Sequence, residues 1–113
     1  MSGPRFDMAV CLARVRARDD TAAQLLVEQL LPLVRKIVVA HRPWRVAPED
    51  LCQDVFIKVF ARLDQYGGAV PFEHWVARVA VNTCRDHLRS ERRDVIYIFF
   101  ELLSAVFAVS NEL

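Results

Sequence analysis

Glycine is scarce in this chain: three residues in 113, two of them adjacent at Gly67-Gly68. Asn-Gly hairpin turns and the apolar–polar alternation of half-buried strands are also missing, which argues against a β architecture. Cysteine is limited to Cys11, Cys52 and Cys84, with no CxxC pair and no Cys/His cluster. That pattern gives no disulfide framework and no zinc spacing, so the three are read as small buried hydrophobes in a reducing compartment. No Gly-rich phosphate loop occurs, and no carboxylate is matched with a His or Ser nucleophile at a convincing spacing. No enzyme activity, metal or cofactor is therefore expected. The net charge is only +1, too weak a sum for tight sequence-independent binding to duplex DNA, which depends on neutralising phosphates. Pro4, Arg5 and Asp7 stand where an export signal would need an apolar run, so the cytoplasm is the expected location.

What is present is apolar and helical. The hydrophobic fraction is 54%, against about 45–50% for an ordinary domain, enough for one core. A first helix is expected from about Arg5 to Arg18, with Phe6, Val10, Ala13 and Ala17 inward and Arg14, Arg16 and Arg18 toward solvent. A second runs from about Thr21, whose spacing to Gln24 resembles a capping box, to His41. Leu25, Leu26, Leu30, Leu33, Val34, Ile37 and Val38 form its apolar face. Pro32 should bend or break it, and Arg42-Pro43-Trp44-Arg45 should end it. A third begins at Pro48, with Glu49 and Asp50 at the positive end of its dipole, and stops near Gln65-Tyr66. Leu51, Val55, Val59 and Leu63 make its core stripe, widened by Cys52, Phe56 and Phe60. Asp50, Gln53, Asp54 and Ile57 lie away from the centre of that stripe. A fourth starts near Pro71 and ends near Arg93. Phe72, Trp75, Val76, Val79, Ala80 and Thr83 face its core. His74, Arg78, Asn82, Arg85, Arg89 and Arg92 line its other side. Residues 95–109 are then almost wholly apolar and carry no basic side chain. The run is shorter than the roughly 20 residues of a membrane span.

Asp50-Leu51-Cys52-Gln53-Asp54-Val55-Phe56 resembles the D-L-x-Q-[DE]-x-F segment of region 2.2 in bacterial sigma factors of the extracytoplasmic-function type, within the sigma-70 family. Phe72-x-x-Trp75-Val76-x-Arg78-Val79-Ala80-x-Asn82 resembles the F-x-x-W-L-x-R-I-A-x-N segment of regions 2.3 and 2.4. Asp86-His87-Leu88-Arg89 and Arg92-Arg93 resemble the basic end of that helix, and Leu30-x-Pro32-Leu33-Val34 resembles region 2.1. The match covers about residues 8–94.

The resemblance implies an all-α fold: a compact bundle of about four helices of the sigma region 2 type, spanning residues 1–94, with an additional apolar C-terminal helix over 95–113. It implies a transcription initiation factor that performs no covalent chemistry. Asp50, Leu51, Gln53, Asp54 and Ile57 would dock on the β′ coiled coil of core RNA polymerase. Tyr66, Gly67, Gly68, Arg78, Asn82, Arg85, Arg89, Arg92 and Arg93 would hold the promoter −10 element as single-stranded DNA. A base would be flipped into the loop near residues 65–73, with Tyr66 as a stacking ring and the arginines on phosphates. Trp75 is assigned to the core rather than to a wedge between bases. His74 and His87 are taken as ordinary surface or core histidines.

The chain departs from that family after Arg93. Nothing there resembles the second helical domain that reads the −35 element, so that reading is expected to be missing. The tail itself suggests an alternative: a truncated sigma-like interaction protein in which residues 95–109 drive dimerisation, or cover Asp50–Asp54 and inhibit docking. A second copy pairing through 95–109 and an anti-sigma factor are the further candidate partners.

Overall fold

A computed structural model describes residues 6–41 and 45–112, the side chains of 107 and 109–112 excepted. The expected first residue of helix one, Arg5, and the expected stop signal Arg42-Pro43-Trp44 lie outside the described residues. The chain forms α1 (Met8–Arg16), α2 (Asp20–His41), α3 (Pro48–Ala61), a short 3-10 turn at Leu63–Gln65, and α4 (Phe72–Glu112). No strand occurs among the described residues. α2 is the hub, packing on α1, α3 and α4, and α3 also packs on α4.

α1 begins one residue after Asp7, whose Oδ1 accepts from the Val10 amide at 3.2 Å. That cap sets the helix phase and corrects the expected inward face. Cys11 and Leu12 are buried with Met8 and Val15 packed beside them, while Val10 is half exposed and Ala13 and Ala17 face solvent. Arg18, at φ +63°, turns the chain out of α1. Its amide bonds Val15 and the Asp19 amide bonds Arg14, a left-handed helix stop.

The cap of α2 is Asp19, not Thr21. Asp19 Oδ1 accepts from the Thr21 amide at 3.0 Å and the Ala22 amide at 3.2 Å. The Gln24 side chain instead donates to Glu28. A carboxylate on the residue just before the helix reaches two orphan amides at the positive helix end, which a hydroxyl inside the helix cannot do. α2 continues through Pro32 without interruption. Glu28 and Pro32 are both exposed, so the carbonyl that loses its amide donor is open to water.

α2 contributes Leu26, Leu30, Val34 and Val38 to the core, and α3 contributes Leu51, Cys52, Val55, Phe56 and Val59. α4 supplies Phe72, Val76, Val79, Ala80 and Cys84. The one buried polar side chain among them, Thr83, is satisfied by donating to the Val79 carbonyl at 2.7 Å. All three cysteines are buried, and burial pushes their thiol pKa values up, which keeps them neutral.

α4 differs most from expectation. It does not stop near Arg93 but runs on to Glu112 as one helix. The reason is in the sequence: no Gly or Pro follows Pro71, so nothing breaks the hydrogen-bond ladder. The expected apolar C-terminal helix is therefore an extension of α4. From residue 92 to 106 every side chain is exposed, and the molecule is 79 Å long but only 30 × 25 Å across. No described helix is long and apolar enough to cross a membrane.

Candidate functional site

Two surfaces arise from the way α3 and α4 spend their apolar faces. On α3 the i+4 stripe goes inward, and this leaves Asp50, Gln53 and Ile57 on the outside, Ile57 at 59% exposure. Leu51, grouped with them by the resemblance, has 0% exposure. Its side chain belongs to the core and corrects that grouping: it anchors the helix from below and cannot be part of a contact surface.

Asp54 is at the border, with 35% of its side chain exposed. Its Oδ2 is 2.9 Å from His87 Nε2 on α4 and 3.6 Å from Lys58 Nζ one turn along α3. The hydrogen bond from His87 is the main reason its carboxyl pKa falls below the ordinary carboxylate value. Partial burial opposes the shift and the Lys58 charge adds to it. His87, read from the sequence as an ordinary histidine, is thus the link between the two surfaces. The Asp86-His87-Leu88-Arg89 motif contains it, but nothing in one-dimensional spacing says that position 87 meets position 54.

The second surface lies along α4 and the loop before it. Arg78, Asn82, Arg85, Arg89, Arg92 and Arg93 are all exposed, as is His74. From Arg78 to Arg92 the helical rise gives a basic track of about 20 Å. The loop is braced by aromatic contacts. Tyr66 meets Phe72 edge-on at 5.0 Å and Trp75 at 5.7 Å, and Phe72 stacks on Trp75 at 5.5 Å. Trp75 is half-buried against the core, in keeping with its core assignment. The Tyr66 ring, expected to stack on a base, is half-buried in this cluster, and its hydroxyl donates to the Val70 carbonyl. Gly68 takes φ +84°, a backbone state that glycine adopts without strain, while Gly67 is exposed.

Beside this loop lies a cleft of about 410 Å³. Met8, Leu12 and Arg16 of α1 form one wall, and Gly68, Pro71 and Glu73 form much of the other. Arg16 Nη2 donates to the Tyr66 carbonyl at 3.3 Å and so ties α1 to the loop. Sequence reasoning placed the pocket in the loop up to Glu73 but missed Arg16, which reads as a solvated helix charge. A second tie is the Arg45 amide, which donates to Glu91 Oε1 at 3.1 Å and pins the entry to α3 against α4.

An acidic and apolar patch on one helix, a basic track on the next, and a cleft at the loop between them give this all-helical protein two chemically distinct exposed surfaces. Residues 26–94 match the family model for sigma-70 region 2, and the chain belongs to that family. Its relatives place it with the extracytoplasmic-function branch. The ECF RNA polymerase sigma-E factor of Escherichia coli (strain K12) is 34% identical over 84 residues, covering 74% of this chain and 44% of that protein. The sigma-E factor of Salmonella typhimurium (strain LT2) matches to the same extent. The RNA polymerase sigma-H factor of Pseudomonas aeruginosa is 30% identical over 80 residues, 71% of this chain and 42% of that one. The chain thus spans less than half the length of these curated relatives. A solved structure also matches, the NMR structure of an engineered region 2 of sigmaE in complex with GTAAAA. It has a TM-score of 0.72 and 30% identity, covering 82% of this chain and 97% of that chain.

Proposed function

We propose that this chain is a transcription initiation factor that binds core RNA polymerase through α3 and holds the promoter −10 element as a single strand on α4. The observation that carries the reading is the match to a sigmaE region 2 solved with GTAAAA. In this chain the α4 track remains exposed and basic over the same domain. Arg78, Arg85, Arg89, Arg92 and Arg93 supply phosphate contacts, and Asn82 supplies a donor and an acceptor for a base edge. The cleft beside Gly68 has room for one extruded base. Extrusion costs a few kcal/mol, which edge hydrogen bonds and stacking must offset. Asp50, Gln53 and Ile57, with Asp54 fixed by His87, form the patch for a basic coiled coil of the β′ subunit. The chain does no covalent chemistry in this reading.

The alternative in which the tail covers Asp50–Asp54 has no support, because residues 92–106 run exposed away from the bundle. The test is twofold. Capture of core polymerase by this chain should fall at least about tenfold when Asp50→Asn and Gln53→Ala are combined, with the fold intact. Anisotropy with labelled GTAAAA and a scrambled hexamer should show that Asn82→Ala weakens the first more than the second. Undiminished capture sinks the α3 patch, and an equal loss on both strands sinks the base-reading role of Asn82.

A further inference from the structure

We propose that the exposed end of α4 is an antiparallel self-association helix, its partner being the same segment of a second copy. Residues 95–106 are helical, and they leave Ile96, Phe99 and Val106 more than half exposed and Leu103 37% exposed. These four recur at spacings of three, four and three, the a/d seam of a paired helix. Val95, Phe100 and Leu102 flank the seam. Asp94 and Glu101, seven residues apart, fall on the side opposite it. The charges are thus kept off the seam, as in a helix that buries one side against another helix, while Tyr97 and Ile98 leave further apolar surface outside it.

Other occupants fit worse. No basic residue follows Arg93, so the segment offers an anionic lipid surface or a nucleic acid nothing to bind. A helix lying on a membrane characteristically carries Lys and Arg on its polar face. The area is right for self-pairing. Seven apolar side chains, each about half exposed, offer on the order of 700 Å² per copy, near the ~800 Å² that each partner contributes to a standard interface.

Charge chooses the direction. Arg89 and Arg92 continue the seam line toward the bundle, each seven residues before a seam position. In a parallel pair each arginine would face its twin. An antiparallel pair sets Ile96 against Val106 and Phe99 against Leu103. Each arginine then lies beside partner residues that follow 106, a stretch with no positive side chain in this sequence.

Sedimentation velocity of the full chain at micromolar concentration tests this. A reversible species of twice the 13.0 kDa chain mass is expected. Phe99→Glu combined with Leu103→Glu should weaken it by more than about 100-fold, while Glu101→Lys should leave it dimeric. For direction, Ile96→Cys and Val106→Cys variants are oxidised separately and mixed. The native cysteines are buried, so cross-linking in the mixture alone supports the antiparallel pair. Cross-linking of each variant with itself overturns that direction. A monomer throughout, polydisperse aggregate, insensitivity to the double glutamate variant, or association only with lipid vesicles overturns the proposal.

Discussion

Removing the contact between Asp54 and His87 tests how far the two helices act as one unit. The side chains meet at 2.9 Å with 35% of each exposed. Exposed ion pairs give about 0.2–1 kcal/mol, and hydrogen bonds to charged groups about 1.5–3 kcal/mol. Partial exposure therefore sets the expected coupling at about 1 kcal/mol, or about 4 °C in Tm for a chain of this size. A double-mutant cycle of Asp54→Ala and His87→Ala isolates that coupling, since helix-propensity changes cancel around the cycle. Urea unfolding followed by circular dichroism at 222 nm gives the four free energies. The carboxyl pKa of Asp54 is lower in the folded state than its ordinary value. Its contribution is therefore complete above about pH 4, the unfolded carboxylate range, and is lost as pH falls through the lower folded value. The coupling should shrink on acidification below about pH 4. A coupling under about 0.3 kcal/mol at pH 7, or one that does not shrink as pH falls below about 4, would refute the reasoning.

Leu51→Ala should cost about 2–5 kcal/mol, because it opens a cavity at a fully buried site. Asp50→Asn beside it should stay within about 0.5 kcal/mol; matched losses in urea titrations would contradict the placement of the α3 faces. Arg18→Gly should raise stability by about 0.5–1 kcal/mol, since φ +63° strains any residue with a Cβ; a lower Tm would count against that account. Gly68→Ala should cost about 1 kcal/mol through backbone strain alone, because an added Cβ meets nothing within 4 Å. A much larger loss in thermal melts would reveal a contact the cleft does not show.

The sequence by itself determined the helices, the inward faces of α3 and the first part of α4, that of α2 apart from Leu25, which is exposed, and the two outward surfaces. Those features are periodic and local: the Leu51–Leu63 stripe and the Arg78–Arg92 track each follow from helical spacing. α1 was the exception. Its nine residues carry too few turns for periodicity to fix a phase, and the Asp7 cap decided that Cys11 and Leu12, not Val10 and Ala13, face inward. The same limit applied at Thr21: the capping-box spacing pointed there, but Asp19, two residues earlier, had the geometry. The absence of Gly and Pro after Pro71 made a continuous α4 readable, yet the change of composition at residue 95 resembled a boundary. Only the tertiary structure paired His87 with Asp54, Arg16 with Tyr66, and Arg45 with Glu91. Each contact joins residues at least 33 positions apart, and such pairings depend on how rigid helices cross, which no local pattern encodes.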